Sequence, residues 1–534
     1  MSVKSCCVYS TGVLSILILI AGIVMVLLQV FQNVLYAKIK EEIVLRNGTQ
    51  AFNVWENPPA PVYMQFYFFN VTNPSEILKG ERPAVIEVGP YTYREFRPME
   101  RVNFLENGTK VSAVNVKTYV FQPNMSKGLQ DDLIRTVNIP AMTVMEDFKD
   151  MPLIANFISA YMKSVNENLM TTHTVGELLW GYEDGLLKAL KKFQPTLNDV
   201  FGLFYKQNAS DDGEYVFLTG QQDYQDFAVI DQWKGQSVLN WWTTDECNMI
   251  NGTNGASFHP IITKNETLYM FNSDLCRSIY TTFEEERNVK GVPGYRFSPP
   301  SSVFANTTEN AGFCSPPGNC LGSGVLNVSA CKQGAPIVMS SPHFYQADEK
   351  FVKDIFGMKP NKEQHETIID INPLTGMILQ ASKRLQVNVF VEKIPVFSQT
   401  GDIRSLVFPV LYLNESVVID DWSAKQLGVI VEEGNIIVNI PFILIALGIL
   451  LGLVFMVLQC RQRIPEYLQY LVPHSAWSLQ PAPTGFRVFH LQSKERLARL
   501  ISPVPIPVQS SGTGAVCICK LIILIWAHCS WYIL

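Results

Sequence analysis

Residues 5–37 read "SCCVYSTGVLSILILIAGIVMVLLQVFQNVLYA", without one charged side chain. A second uncharged stretch runs from Gly434 to Cys460, with "IIVNIPFILIALGILLGLVFMVLQC" over Ile436–Cys460. Each exceeds the roughly 20 residues that carry a helix across a bilayer. A cleavable signal peptide has an apolar core of about 7–15 residues followed by a small-x-small site. The first stretch has a longer core and no clear site of that kind, so it reads as an anchor. Pro441 lies near the start of the second, where a spanning helix tolerates it. Together they explain a chain of 534 residues that is 47% hydrophobic and only 17% charged.

What lies between the two stretches fixes the orientation. Ten Asn-x-Ser/Thr sequons, at Asn47, Asn70, Asn107, Asn124, Asn208, Asn251, Asn265, Asn306, Asn327 and Asn414, all fall there. Asn73 precedes proline and does not count. Such confinement marks the segment as lumenal or extracellular. Lys4 before the first span, with Arg461 and Arg463 after the second, agrees with cytosolic ends. The expected plan is a cytosolic N-terminus (1–9), a first span (10–34), a glycosylated ectodomain (35–433), a second span (434–460) and a cytosolic tail (461–534). That tail is basic and proline-rich. Its apolar end, "AVCICKLIILIWAHCSWYIL", is broken by Lys520 and His528 and reads as the product of an alternative exon more than as a third membrane segment. Cys6, Cys7 and Cys460 lie at membrane boundaries and are candidates for palmitoylation.

The oxidising compartment favours disulfides over zinc or redox use of the ectodomain cysteines. Five are present, Cys247, Cys276, Cys314, Cys320 and Cys331, so at most two bridges form. Cys314 and Cys320 enclose Pro316, Pro317 and Gly318, a tight loop and not a C-x-x-C motif. A local Cys314–Cys320 clip with a longer Cys276–Cys331 tie, leaving Cys247 over, is the preferred pairing, but spacing alone does not fix it.

Alternation of apolar and polar residues predicts strands at Val62–Phe69, Ala113–Phe121, Glu214–Gly220 and Gln386–Lys393. Helical spacing appears at Ile154, Phe157, Ile158, Tyr161, Val165 and Leu169, predicting a helix over 152–170 that starts on Pro152. A second helix is expected over 175–193. The fold class is therefore α+β, a mostly β ectodomain with a helical region at 152–193.

No catalytic constellation stands out: H-E-x-x-H, G-x-S-x-G, a phosphate loop and a dinucleotide fingerprint are all missing from the sequence. His365 in "HET" lacks a second histidine at the next turn, and His343 reads as a packed histidine. No metal site, cofactor or enzymatic activity is expected. A net charge of −6 despite the basic tail leaves the rest acidic, which excludes nucleic acid as a partner. Binding remains. Ile154, Phe157, Ile158, Tyr161 and Val165 form a candidate partner surface. From Glu146 to Asp184 only Lys149 and Lys163 are basic, against seven acids, which repels polyanions. His173, just beyond this helix, is a candidate pH sensor.

The spans, the sequons and the motifs "GPYTYRE" (89–95), "ELLWGY" (177–182), "CNMINGT" (247–253), "PHFYQAD" (342–348) and "DINPLTG" (370–376) resemble the class B scavenger receptors over about residues 5–460. Within that family "IVLRNGTQAF", "FYFFNVTNP" and "GFCSPPGNCLGSGVLNVSAC" are most similar to its lysosomal branch. The resemblance implies an antiparallel β-barrel-like core with an internal lipid tunnel and a helical bundle at its apex, and the same two disulfides. It implies a two-pass protein of lysosomal or late endosomal membranes, with the plasma membrane as a second location. The implied role is a receptor that delivers β-glucocerebrosidase to lysosomes without a mannose-6-phosphate tag, its contact supplied by residues 152–170. Cholesterol or phospholipid would be the tunnel ligand, and a second copy of the chain is a further candidate partner. The alternative is a cell-surface receptor for lipoprotein or lipid uptake. The chain departs from the lysosomal branch at Met151, where a histidine tied to pH response is expected. "KERLARLI" (494–501) stands in for an acidic dileucine signal but has different spacing.

Overall fold

The computed structural model describes residues 3–471, with side-chain surroundings from 8 to 462. The side chains of Cys6 and Cys7, and the tail from 472 onward with its apolar end, lie outside the described residues. The chain forms two compact units, residues 34–434 and the terminal segments through 33 and from 435.

In the terminal unit, Val3–Leu27 and the membrane part of Asp421–Leu471 are helices long and apolar enough to cross a bilayer. Small residues let them approach. Ser15 Oγ donates to the Gly448 carbonyl at 2.9 Å, and a Cβ on Gly22 would stand 2.7 Å from Ile445. Cys460 is buried and disulfide-bonded. A thiol held this way accepts no acyl chain until it is reduced, the state a cytosolic location favours.

The larger unit is built on an antiparallel sheet of 11 strands. In chain order these are β1 (Val62–Val71), β2 (Val85–Phe96), β3 (Thr118–Phe121), β4 (Thr267–Asn272), β5 (Arg277–Val289), β6 (Val292–Ser298), β7 (Val325–Asn327), β8 (Ile337–Ser340), β9 (Ile368–Ile371), β10 (Ile378–Val391) and β11 (Leu406–Val418). The spatial order is β4-β5-β6-β9-β10-β11-β1-β2-β3, with β8 also paired to β10 and β7 to β8. The centre of the sheet thus joins distant parts of the chain: Val62 faces Val417 and Phe68 faces Leu411.

Along β1 the two-residue period serves two cores. Met64, Phe66 and Phe68 enter one, while Phe69 and Val71 enter a second that the helices share. Burial on both faces explains why "VYMQFYFF" is nearly continuous in apolar residues. Opposite it on β2, Gly89 has φ +135°, and a Cβ there would meet the Phe66 carbonyl at 2.6 Å, so only glycine fits. A third core, with Trp55, Phe217 and Trp233, lies on a separate four-stranded sheet.

Three expectations are corrected. The strand expected over Ala113–Phe121 is two: Lys110–Asn115 belongs to the four-stranded sheet and β3 to the large one. The helix expected to reach 170 ends at Ser164, because Asn166 adopts the left-handed conformation (φ 56°) that stops it. Met170–Thr174 then pairs as a strand with Leu133–Val137. The helix expected over 175–193 is interrupted at Gly181 (φ 125°), where the short strand Tyr182–Glu183 intervenes.

Four helices follow in this region: α1 (Ile139–Phe148), α2 (Pro152–Ser164) and α4 (Gly185–Leu190) bury side chains in the second core, while α3 (Val175–Trp180) buries Val175, Leu178 and Leu179 in the first. Three have side-chain caps. Asn138 accepts from the Ala141 N–H, Asp184 from the Leu187 N–H, and Thr174 forms a capping box with Glu177.

Candidate functional site

The candidate partner residues sit on α2, and the structure divides them. Ala155, Ile158, Ser159 and Met162 face inward, with Ile158 only 3% exposed. Ser159 locks that face: its Oγ donates to Gln399 Oε1 at 3.0 Å, and Gln399 Nε2 donates back to the Ser159 carbonyl at 2.8 Å. Ile158 is thus corrected from partner surface to core, since it is buried in the second cluster, which also holds Met142, Met145 and Phe408. Tyr161 is half-buried against the same core. Ile154, Phe157 and Val165 remain on the surface, Phe157 at 66% exposure.

The surface has a member that helical spacing overlooked. Leu153 is 89% exposed, one turn from Phe157 on the same side of α2, and Met151 before the helix is exposed too. An i, i+4 apolar pair displayed to solvent is the geometry by which a helix enters a groove on another protein. The signal was in the sequence as a second apolar stripe, which reading all apolar positions as one face conceals.

The segment that carries this stripe, from Glu146 to Asp184, holds seven acids against Lys149 and Lys163. Lys149 is taken up by Glu146 at 2.5 Å and Glu392 at 3.2 Å. Burial, then neighbouring Asp184, raises the Glu167 carboxyl above its usual range, opposed by a hydrogen bond from Asn138. His173 stacks on Tyr182 with ring centroids 3.7 Å apart and lies 3.6 Å from Glu177. Burial lowers its pKa below 6.5, against the pull of Glu177 and Asp184.

A second feature is internal. A cavity of about 210 Å³ is lined by apolar Trp55, Met99, Met270 and Ile369 and by charged Arg97, Lys117, Lys383 and Glu415. Arg97 meets Glu415 at 2.5 Å and Lys383 meets it at 3.5 Å. Burial opposes the Glu415 charge, but Arg97, Lys383 and Lys117 outweigh it and hold the carboxyl well below the usual range. Glu95 beside them is buried, its two oxygens accept no hydrogen bond among the described residues, and burial raises its pKa. An apolar enclosure with a charged cluster at its wall has the chemistry of a site for an amphiphile.

His343 and His365 stack at 4.4 Å. The Lys359 N–H donates to His343 Nδ1 at 3.0 Å, so Nε2 carries the proton that meets Glu87 at 2.7 Å. The Asn361 N–H donates to His365 Nδ1 at 2.9 Å. Both are packed, hydrogen-bonded histidines. Among the described residues no three His, Cys, Asp or Glu side chains gather as a metal set.

Cys276 is bonded to Cys331 and Cys314 to Cys320, with Cα atoms 6.5 and 4.8 Å apart, and Cys247 is a buried free thiol. None of the ten sequon asparagines is buried.

A family model described as the CD36 family matches residues 13–459. Lysosome membrane protein 2 of Homo sapiens is 55% identical over 457 residues, covering 85% of this chain and 95% of the relative; that of Mus musculus gives the same figures. Scavenger receptor class B member 1 of Sus scrofa is 34% identical over 488 residues, covering 88% and 95%. With its two terminal spans, its large antiparallel sheet and these relatives, the chain belongs to the CD36 family and is a two-pass lysosomal membrane protein.

Proposed function

We propose that this protein is a non-catalytic cargo receptor that captures a lysosomal hydrolase, β-glucocerebrosidase as the family resemblance implies, on the outer face of α2. The carrying observation is the solvent-facing pair Leu153 and Phe157 on a helix whose opposite face is locked into the core. Full burial of such side chains contributes about 1.5–3 kcal/mol each. The acidic surroundings favour a partner with a neutral or basic rim and disfavour the polyanionic ligands of a surface scavenger receptor. Titration of His173 below pH 6.5 supplies a route to weaker binding in an acidic lumen. The test is capture of β-glucocerebrosidase by the full-length protein in detergent at about pH 7 and about pH 5. The proposal expects binding that falls with pH. Absence of binding at both values refutes it.

A second reading, compatible with the first, is passage of a lipid such as cholesterol or phospholipid through the ectodomain. The 210 Å³ cavity supports it. Replacing cavity-lining Ala381 with Phe fills part of that space, so sterol transfer to vesicles should slow while β-glucocerebrosidase capture is unchanged.

A further inference from the structure

Arg277 opens β5 directly after Cys276 and is 5% exposed. Among the described residues its side chain makes one hydrogen bond, from Nε to the Ser278 carbonyl at 3.2 Å. The guanidinium lies 3.5 Å from the ring centre of Phe313 and 5.7 Å from that of Phe304, held between two aromatic residues. Among the described residues no carboxylate pairs with it. Nη1 and Nη2 donate to no protein atom among the described residues, and neither is fully sealed from solvent. Buried arginines ordinarily have a carboxylate or a carbonyl fork to answer this charge.

Space stands where the counter-ion belongs. Arg277 borders a cavity of about 30 Å³ whose lining includes Phe304, Phe313, Asn319 and the Cys314–Cys320 loop, and it is the lone charged residue in that lining. One water needs about 10–15 Å³, so the cavity admits one small ion. Burial pulls the guanidinium down to about 10, with Cys247 and Tyr280 acting in the opposite sense, so it stays charged from the secretory route to the lysosome.

We propose that this pocket binds one small monovalent anion, a halide or a carboxylate, on the Nη groups of Arg277. The ion would neutralise the buried charge and tie the disulfide-closed loop to β5. This site shares no lining residue with the 210 Å³ cavity and none with the outer face of α2.

The experiment is thermal unfolding of the full-length protein in detergent. Sodium chloride, bromide or acetate replaces sodium isethionate, whose anion is too large for the cavity, at constant ionic strength. The expected result is a saturable rise of about 3 °C at a hundredfold excess over Kd for one of the three small anions. It should be lost in Arg277→Gln. The anion that acts separates the halide from the carboxylate source. No rise above the isethionate baseline with any of the three anions overturns the proposal. Should Arg277→Gln fail to fold, wild-type crystals soaked in bromide and in acetate decide. An anomalous bromide peak or acetate difference density at Arg277 supports the site, and density with neither overturns it.

Discussion

Phe157 and Ile158 are neighbours on one helix with opposite surroundings, and that contrast yields a sharp prediction. Phe157 is 66% exposed, so Phe157→Asp should change the stability of the isolated protein by no more than about 0.5 kcal/mol, as for other surface changes. Its effect on binding should be large. Roughly two thirds of a buried phenylalanine's 1.5–3 kcal/mol remains to be gained on docking, and an aspartate there must be desolvated without a partner. The sum is about 3 kcal/mol, or roughly a hundredfold in Kd. Ile158→Ala should do the reverse. At 3% exposure it opens a cavity beside Met142 and Phe408 and costs about 2–5 kcal/mol of stability. Kd for β-glucocerebrosidase, measured by surface plasmon resonance, and melting profiles at one scan rate should be recorded on the same preparations. If Phe157→Asp melted as early as Ile158→Ala, or bound like the parent, the assignment of the outer face of α2 would be refuted.

Other perturbations address different links. Breaking Cys276–Cys331, which spans 55 residues, should cost about 4 kcal/mol and breaking Cys314–Cys320, which spans 6, about 2, by the chain-entropy relation. Pulse-chase maturation of the two serine variants should rank them that way, and equal retention would count against it. His365 is held at about 4 by burial and by His343, below its ordinary 6.5. Its stabilising contribution is complete above pH 6.5 and is lost as pH falls from there toward 4. His365→Gln should flatten denaturant stability across that window; an unchanged acid limb would refute the assignment. Hydroxylamine-sensitive acyl label should vanish when Cys6, Cys7 and Cys460 are all replaced, and label that persisted would place acylation elsewhere.

Much of this molecule is legible in its sequence. Two uncharged stretches and ten confined sequons settle its relation to a membrane, because the bilayer and the glycosylation machinery read local sequence. The period of two marked β1 and β10 for the same reason. What stayed hidden depends on contacts between distant segments. Both faces of α2 carry apolar residues, so only burial in the second core and the Ser159–Gln399 contact reveal which is inside. The break at Gly181 was missed because a single glycine inside an apolar run does not announce a left-handed backbone. The 210 Å³ cavity draws its lining from segments between Val54 and Ser423, a set that no local pattern predicts.

The pairing of β1 with β11 has a consequence for biosynthesis. At about 5–20 residues per second, the ribosome takes on the order of 20–70 s to make Leu411 after Phe68, its partner. Throughout that interval a strand reading "VYMQFYFFNV" lies in the lumen with an unpaired edge, the kind of template on which nascent chains associate. Protection in that window has to come from outside the fold, from oligosaccharides and chaperones. A premature stop ahead of Leu406 would remove not the end of the sheet but an inner strand, leaving β4 to β10 and β1 to β3 as two pieces with no hydrogen-bonded seam between them.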